Sequence, residues 1–191
     1  MSEKWILASS SPRRVALLRT LIPHLEICPA SVEELHVAPK NMPPETIASL
    51  NAERKAEHVA MQYPHAYIIG ADTIVIFKNQ IFNKPRDMEE ARYMLQQLSG
   101  QTHNVVTSVC VMHKMNSFLK TFSVISPVTF AAMAPDFIEH YLQEIQPLDK
   151  AGAYAIQHPL TKKIATYAPE GYANIMGFPI NAFQQALHGI L

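Results

Sequence analysis

The chain has 191 residues, 48 % of them hydrophobic and 17 % charged, enough to bury one sizeable core or two small lobes that share one. Sixteen Lys plus Arg balance sixteen Asp plus Glu, which excludes a general electrostatic pull toward nucleic acid or an anionic membrane, so any anion must be held locally. Nowhere do about 18 uninterrupted apolar residues occur, and Trp5-Ile6-Leu7 is too short for a signal-peptide core, so the expectation is a cytoplasmic, unanchored protein.

Two cysteines, Cys28 and Cys110, lie outside any C-x-x-C pair and support neither a disulfide framework nor a structural zinc motif. No repeat, low-complexity tract or linker divides the sequence, and residues 1–191 read as one domain. Residues 5–8 predict a short buried strand, 9–11 a turn, and 12–21 a helix with Ser11 as N-cap and Pro12 in the first position. Val15, Leu17, Leu18 and Leu21 form its buried side. A second helix follows Pro43-Pro44 and runs to about Gln62, and the apolar run 66–71 reads as a fully buried strand with Asp72 near its carboxyl end. After a hairpin-like stretch through Asn79, Asp87 and Glu90 form a capping-box pattern for a helix that Gly100 closes after Leu98. Residues 105–112 and 118–130 predict strands, 135–146 a helix, 151–167 irregular or extended chain, and 181–191 a final helix. Strands that first alternate with helices and then follow one another predict an α/β fold with a mixed central sheet flanked by helices.

The first helix carries a physical anomaly. Arg13 and Arg14 lie in its first turn, where the macrodipole disfavours cations by a few tenths to about one kcal/mol each. An anionic ligand removes the conflict, because free N–H groups, the Ser9, Ser10 and Ser11 hydroxyls and two guanidiniums together suit phosphate. The plain alternative turns both arginines into solvent. Asp72, after an apolar run, stands where open α/β sheets bind ligands and is suited to hold a metal or accept a proton from water; the alternative is a turn aspartate bonded to its own backbone. Thr73 is equally ambiguous. Lys84 is fixed by Pro85 or solvated, and Lys55, beside Glu53, Arg54 and Glu57, reads first as part of a charged outer face. Glu33 and Glu34 supply a hard oxygen ligand for Mg²⁺ or face water. In 149–157, the Asp149-Lys150 pair and the small residues after it allow a ligand close approach or form a plain turn. Cys110, between Val109 and Val111, reads as a packed thiol. No G-x-x-x-x-G-K-[ST], G-x-G-x-x-G or H-E-x-x-H pattern is present.

Six segments, in this order and spacing, resemble the Maf family, also called septum formation proteins: Leu7-Ala8-Ser9-Ser10-Ser11-Pro12-Arg13-Arg14, Gly70-Ala71-Asp72-Thr73, Lys84-Pro85, Gly100-Gln101-Thr102-His103, residues 149–157, and Asn174-Ile175-Met176-Gly177-Phe178-Pro179. The resemblance implies a two-lobed, inosine-triphosphatase-like α/β fold with the site in its cleft. It also implies a divalent-metal-dependent (Mg²⁺ or Mn²⁺) pyrophosphatase that cleaves nucleoside triphosphates between the α and β phosphates, and homodimers are common in the family. By matching position it makes Asp72 the proton acceptor, Glu34 and Asp72 the metal carboxylates, and Ser9, Arg14, Lys55 and Lys84 phosphate contacts. Arg13, Thr73 and Gln157 fall on positions tied to substrate choice, and their forms resemble the branch acting on dTTP and UTP. The chain departs from the pattern at His158-Pro159, Glu170-Gly171 and Phe178. A non-catalytic nucleotide sensor acting on a cell-division partner, or a phosphatase removing only the terminal phosphate, would use similar residues.

Overall fold

The computed structural model describes residues 3–38 and 40–190. Seven strands form one mixed sheet: β1 (Trp5–Leu7), β2 (Glu26–Ile27), β3 (Tyr67–Phe77), β4 (Gln80–Phe82), β5 (Thr102–His113), β6 (Phe118–Phe130) and β7 (Ala165–Thr166). The order is β2-β1-β3-β5-β6-β7, with β4 also paired to β3. β1 runs parallel to β2 and β3, and the remaining pairs are antiparallel. The helices are α1 (Pro12–Arg19), α2 (Thr46–Ala60), α3 (Met88–Leu98), α4 (Pro135–Glu144), α5 (Pro159–Ile164), α6 (Tyr172–Ile175) and α7 (Ile180–Ala186).

Period-two alternation divides β3 between its faces. Tyr67, Ile69 and Ala71 enter a cluster with Leu18, Phe178 and Phe183, while Ile68 points oppositely into a cluster with Ala52, Ala56 and Val59. Beyond the middle of the strand, Val75 and Phe77 join a separate core with Leu95, Leu98, Phe130 and Tyr141. On the face of Tyr67, Ile69 and Ala71 the long central strands therefore carry one apolar core near each end, and Asp72-Thr73 lies between them.

α2 approaches β3 very closely, because a Cβ placed on Gly70 would lie 2.1 Å from the Ala52 carbonyl oxygen and 2.8 Å from the Ala56 amide nitrogen. Only glycine opposite alanine permits this contact, and it brings the buried side of α2 down onto the strand.

Several boundaries differ from expectation. β3 does not end at Asp72 but continues through Phe77, since pairing with β5 runs unbroken from Ile68 to Ile76 and the β-branched and aromatic run Ile74-Val75-Ile76-Phe77 takes up β4 on the other edge. α1 stops at Arg19 and only Leu18 is fully buried; Val15, Leu17 and Leu21 are partly covered. Asp87 accepts the Glu90 N–H at 2.8 Å as anticipated, but the Glu90 carboxylate turns back to the Arg86 N–H groups instead of completing the box. Residues 151–167 are not irregular throughout: they hold a 3-10 turn at Ala151–Ala153, α5 and β7. The His158 ring accepts the Leu160 N–H at 3.3 Å and Pro159 opens α5, so an N-cap followed by proline was the signal. α4 ends at Glu144, and the last helix runs only from Ile180 to Ala186.

Candidate active site

The cleft begins as a gap in strand pairing. β1 accompanies β3 only through Ile69, and β4 takes up the same edge at Val75, while β5 runs along the opposite edge. Residues 70–74 thus have no strand neighbour on one side, and a cleft of about 610 Å³ opens there, a size suited to a small-molecule ligand. Because neighbouring side chains leave a strand on opposite faces, Asp72 meets α2 and Thr73 meets α1, and both are reached from the open edge.

Asp72 is 7 % exposed. Its Oδ1 accepts the Lys55 ammonium at 2.7 Å and its Oδ2 accepts the Asn51 amide at 3.1 Å. Lys55 also meets Glu34 Oε1 at 2.7 Å, so one buried ammonium bridges two carboxylates. It is 8 % exposed and no part of an outer face, which overturns the first reading. Asn51 ties the loop that carries Glu34 to α2: its Oδ1 accepts the Leu35 N–H at 2.8 Å and its Nδ2 donates to the Leu35 carbonyl at 3.0 Å. Both N–H bonds of that amide are committed, and its oxygen holds one of the two bonds it can accept. Partial burial pushes the Glu34 carboxyl up, but the hydrogen bond and charge of Lys55, with Lys84 and Arg14, outweigh this and hold it below the usual carboxylate range. Lys84 itself is mostly exposed, with Nζ 3.8 Å from Glu34 Oε2.

On the other face Arg14 turns inward rather than into solvent. Nε donates to the Gly177 carbonyl at 2.9 Å, Nη1 to Ser9 Oγ at 3.3 Å and Nη2 to Thr73 Oγ1 at 3.0 Å. A guanidinium has five N–H bonds, so each terminal nitrogen keeps one for an anion. Burial lowers the Arg14 pKa against the opposing pull of Asp72 and Glu34, and Arg13 adds to the lowering, yet an arginine stays charged. Ser11 makes no side-chain cap; Ser9 Oγ instead accepts the N–H of Ser11 itself at 3.2 Å and keeps its proton to donate. Helical bonding starts with Val15 N–H to Ser11 O, which leaves the Arg13 and Arg14 N–H groups at the cleft. Arg13 reaches across to Asp149, 4.0 Å away.

The facing wall comes from a 3-10 turn at Pro147–Asp149, the turn Ala151–Ala153, and the chain after it. Leu148, Lys150, Tyr154 and half-buried Gln157 line it. Gly152 (φ 68°) is required by its left-handed backbone, and its N–H bonds the Asn83 carbonyl at 3.2 Å, which fixes this wall to the β4 side. Tyr154 hydroxyl meets His103 Nε2 at 3.0 Å; burial pushes that imidazole down to about 4, so it is neutral.

All of the singled-out residues, Ser9, Arg13, Arg14, Glu34, Lys55, Asp72, Thr73, Lys84 and Gln157, therefore line this cleft. Among the described residues no group of three His, Cys, Asp or Glu could cage a metal ion. Glu34 and Asp72 converge on the Lys55 ammonium, so the point between them already holds a cation; the remaining lone pairs of the two carboxylates suit a Mg²⁺-like ion that takes one or two carboxylates and completes its shell with phosphate oxygens and water. Sequence reasoning missed Asn51 and Thr107 and gave Asn174, quoted in the last of the six segments, no role; a buried polar residue inside the apolar stripe of α2 is the signal for Asn51. Cys110 is a packed thiol as expected, with burial raising its pKa to about 11.

The model of the Maf-like protein family matches residues 4–190. A dTTP/UTP pyrophosphatase of Latilactobacillus sakei is 39 % identical over 183 residues, which covers 96 % of this chain and 98 % of that protein. Proteins of the same name from Akkermansia muciniphila (39 % identity, covering 97 % of this chain and 95 % of that protein) and Bacillus velezensis (38 %, covering 98 % and 96 %) match equally broadly. With a family model spanning nearly the whole chain and relatives of this likeness along its full length, the chain belongs to the Maf family.

Proposed function

We propose that this chain hydrolyses nucleoside triphosphates between the α and β phosphates, with dTTP and UTP preferred, releasing the nucleoside monophosphate and pyrophosphate in the cytoplasm. The observation that carries this reading is that a buried carboxylate held by Lys55 and Asn51 shares one open strand edge with a cationic helix start. Five cations, Arg13, Arg14, Lys55, Lys84 and Lys150, against three carboxylates, Glu34, Asp72 and Asp149, make the cleft locally positive on a neutral chain, suited to about four negative charges of a triphosphate.

Each Asp72 oxygen accepts one hydrogen bond from the chain and keeps lone-pair capacity toward the cleft, where it orients a water and takes its proton as that water attacks the α-phosphorus. Lys55 holds Asp72 and Glu34 in place through this step and compensates their charge. Arg14, the Ser9 hydroxyl, the N–H groups of α1 and Lys84 hold the phosphate oxygens, including those of the departing pyrophosphate. Mg²⁺ or Mn²⁺ would be held by Glu34 and Asp72 and, when bound, neutralises phosphate charge and polarises the reacting phosphorus. Gln157 supports the pyrimidine preference, because an amide offers a donor and an acceptor to the adjacent carbonyl and N–H of uracil or thymine. The names of the relatives support it too.

Product analysis over a panel of nucleoside triphosphates with Mg²⁺ or Mn²⁺ tests the reading. Monophosphate with pyrophosphate, fastest from dTTP and UTP, is expected. Diphosphate with orthophosphate, or binding without turnover, would overturn it.

A further inference from the structure

Thr107 lies on β5 directly opposite Thr73 and is fully buried, out of reach of any ligand in the cleft. Its hydroxyl lies 3.0 Å from the main-chain oxygen of Asn174 and 2.9 Å from Thr73 Oγ1. A carbonyl oxygen only accepts, so Thr107 spends its one proton on Asn174. The proton between the two threonines must then belong to Thr73. Thr73 in turn accepts Arg14 Nη2 at 3.0 Å, and the direction of every bond in the chain is fixed: Arg14 to Thr73, Thr73 to Thr107, Thr107 to Asn174.

The chain closes on itself. Asn174 O also accepts the Gly177 N–H at 2.9 Å, and the Gly177 carbonyl accepts Arg14 Nε at 2.9 Å, so the ring joins α1, β3, β5 and the turn after α6. The Asn174 amide anchors that turn to the sheet through the Val105 carbonyl at 3.3 Å, the Val124 carbonyl at 3.2 Å and Ser126 Oγ at 3.0 Å. The ring sets where the two unspent N–H bonds of Arg14 point.

We propose that Thr107 is a positioning residue for nucleotide binding: by taking the Thr73 proton it makes Thr73 a pure acceptor for Arg14, and so holds the guanidinium in its phosphate-facing orientation. Thr73 then acts on the substrate through Arg14 and offers no proton of its own. Without the Thr107 hydroxyl, the Thr73 proton turns toward the other acceptor in reach, the Gly177 carbonyl 3.5 Å away, which is the one Arg14 Nε uses. The proposal rests on Arg14 receiving phosphate in the reading above.

The test compares Thr107→Val, which keeps the shape and deletes the hydroxyl, with Thr107→Ser, which keeps the hydroxyl and deletes a methyl. Kd is measured for the non-hydrolysable α,β-methylene analogue of dTTP, beside KM and kcat for dTTP, on variants shown to be folded by thermal melts. For Thr107→Val, Kd and KM rise together by about five- to tenfold, the scale of one lost hydrogen bond, while kcat stays within about threefold. Thr107→Ser returns Kd to within about twofold of wild type despite a lower Tm from the small cavity it leaves. Should Thr107→Val not fold, Thr73→Val carries the same expected rise in Kd. Wild-type Kd in folded Thr107→Val, or equal weakening in Val and Ser, overturns the proposal. The Kd measurement needs no turnover, and failure of the pyrophosphatase reading shows separately in the wild-type products.

Discussion

Where β3 meets α2 on one face and α1 on the other, Asp72 is committed to Lys55 and Asn51, Lys55 to Asp72 and Glu34, and Arg14 to Gly177, Ser9 and Thr73. Across the gap, the wall built from 147–157 carries Asp149 at 63 % side-chain exposure, paired with its neighbour Lys150 and 4.0 Å from Arg13, and places Gln157 on the chain beyond two 3-10 turns. The first wall stands on a helix pressed against a central strand, the second on two short turns followed by Ala153, Tyr154 and Ile156, which pack into the core of Leu95, Leu98 and Phe130. Under the proposed function, the chemistry that needs a fixed carboxylate would sit on the wall tied by buried hydrogen bonds, and the contact that distinguishes one base from another on the wall that begins as short turns. Substitutions on the first wall should damage catalysis and stability together, whereas those on the second should change which nucleotide is used.

The largest expected effect is Asp72→Asn. The amide keeps the shape and an acceptor for Lys55 but removes the proton acceptor, so kcat should fall by about 10²- to 10⁴-fold with the far-UV circular dichroism spectrum unchanged. A folded variant with near wild-type kcat would mean that the packed wall is not where the reaction runs.

Arg14→Ala comes next. A charged hydrogen bond is worth roughly 1.5–3 kcal/mol, so KM should rise about 10- to 100-fold. Its stability effect decides between two forces. The helix dipole alone would make the loss of a first-turn cation neutral or stabilising by up to about 1 kcal/mol. The lost bonds to Gly177, Ser9 and Thr73 act the other way, and removing their donor leaves acceptors unpaired at about 1 kcal/mol or more each, so the apo protein should melt lower than wild type. A higher Tm would show that the dipole wins and that this face of the first wall is less fixed than its bonds indicate.

Gly70→Ala tests the helix contact itself. A methyl 2.1 Å from the Ala52 oxygen must lift α2 and carry Lys55 and Asn51 away from Asp72. Overpacking of this kind costs about 1–3 kcal/mol, and at this chain length each kcal/mol lowers Tm by roughly 2–4 °C. Melting should shift accordingly, with kcat reduced more than KM is raised. Unchanged melting and rate would separate catalysis from the fit of α2.

The contrast between the walls also explains what could be read from the sequence. The clash of Arg13 and Arg14 with the helix start, the Asp87 cap and the Asp72 carboxylate are local facts, visible in neighbouring residues. Lys55 was hidden by its neighbours: Glu53, Arg54 and Glu57 announce a solvent face, yet Ala48, Ala52, Lys55 and Val59 follow the helical repeat that faces β3, and only the Gly70 contact gives an ammonium a reason to be there. The extent of β3 was misjudged because a polar pair reads as a strand end, whereas here it marks the gap between β1 and β4, a property of pairing across more than sixty residues of chain that periodicity cannot register. α5 was lost because His158 is an unusual cap. The Thr73-Thr107-Asn174 chain, too, depends on register between strands and on a turn far along the chain.

The smallest effect belongs to the second wall. Gln157 reaches the cleft from the chain just before His158 and Pro159, which cap and open α5 and so fix where the preceding residue stands. Its amide can pair with the adjacent carbonyl and N–H of uracil or thymine, which cytosine and adenine do not present. Gln157→Ala should therefore lower kcat/KM for dTTP and UTP by about fivefold relative to CTP and ATP, the size of one hydrogen bond that the poorer substrates never make. Tm should remain close to wild type, because no core residue loses a partner. The measurement is the ratio of kcat/KM across the four nucleotides, before and after substitution. An equal proportional loss for all four would make Gln157 a general support of the cleft and would remove the difference between the walls, whereas a loss confined to dTTP and UTP would place base recognition on the turn-built side.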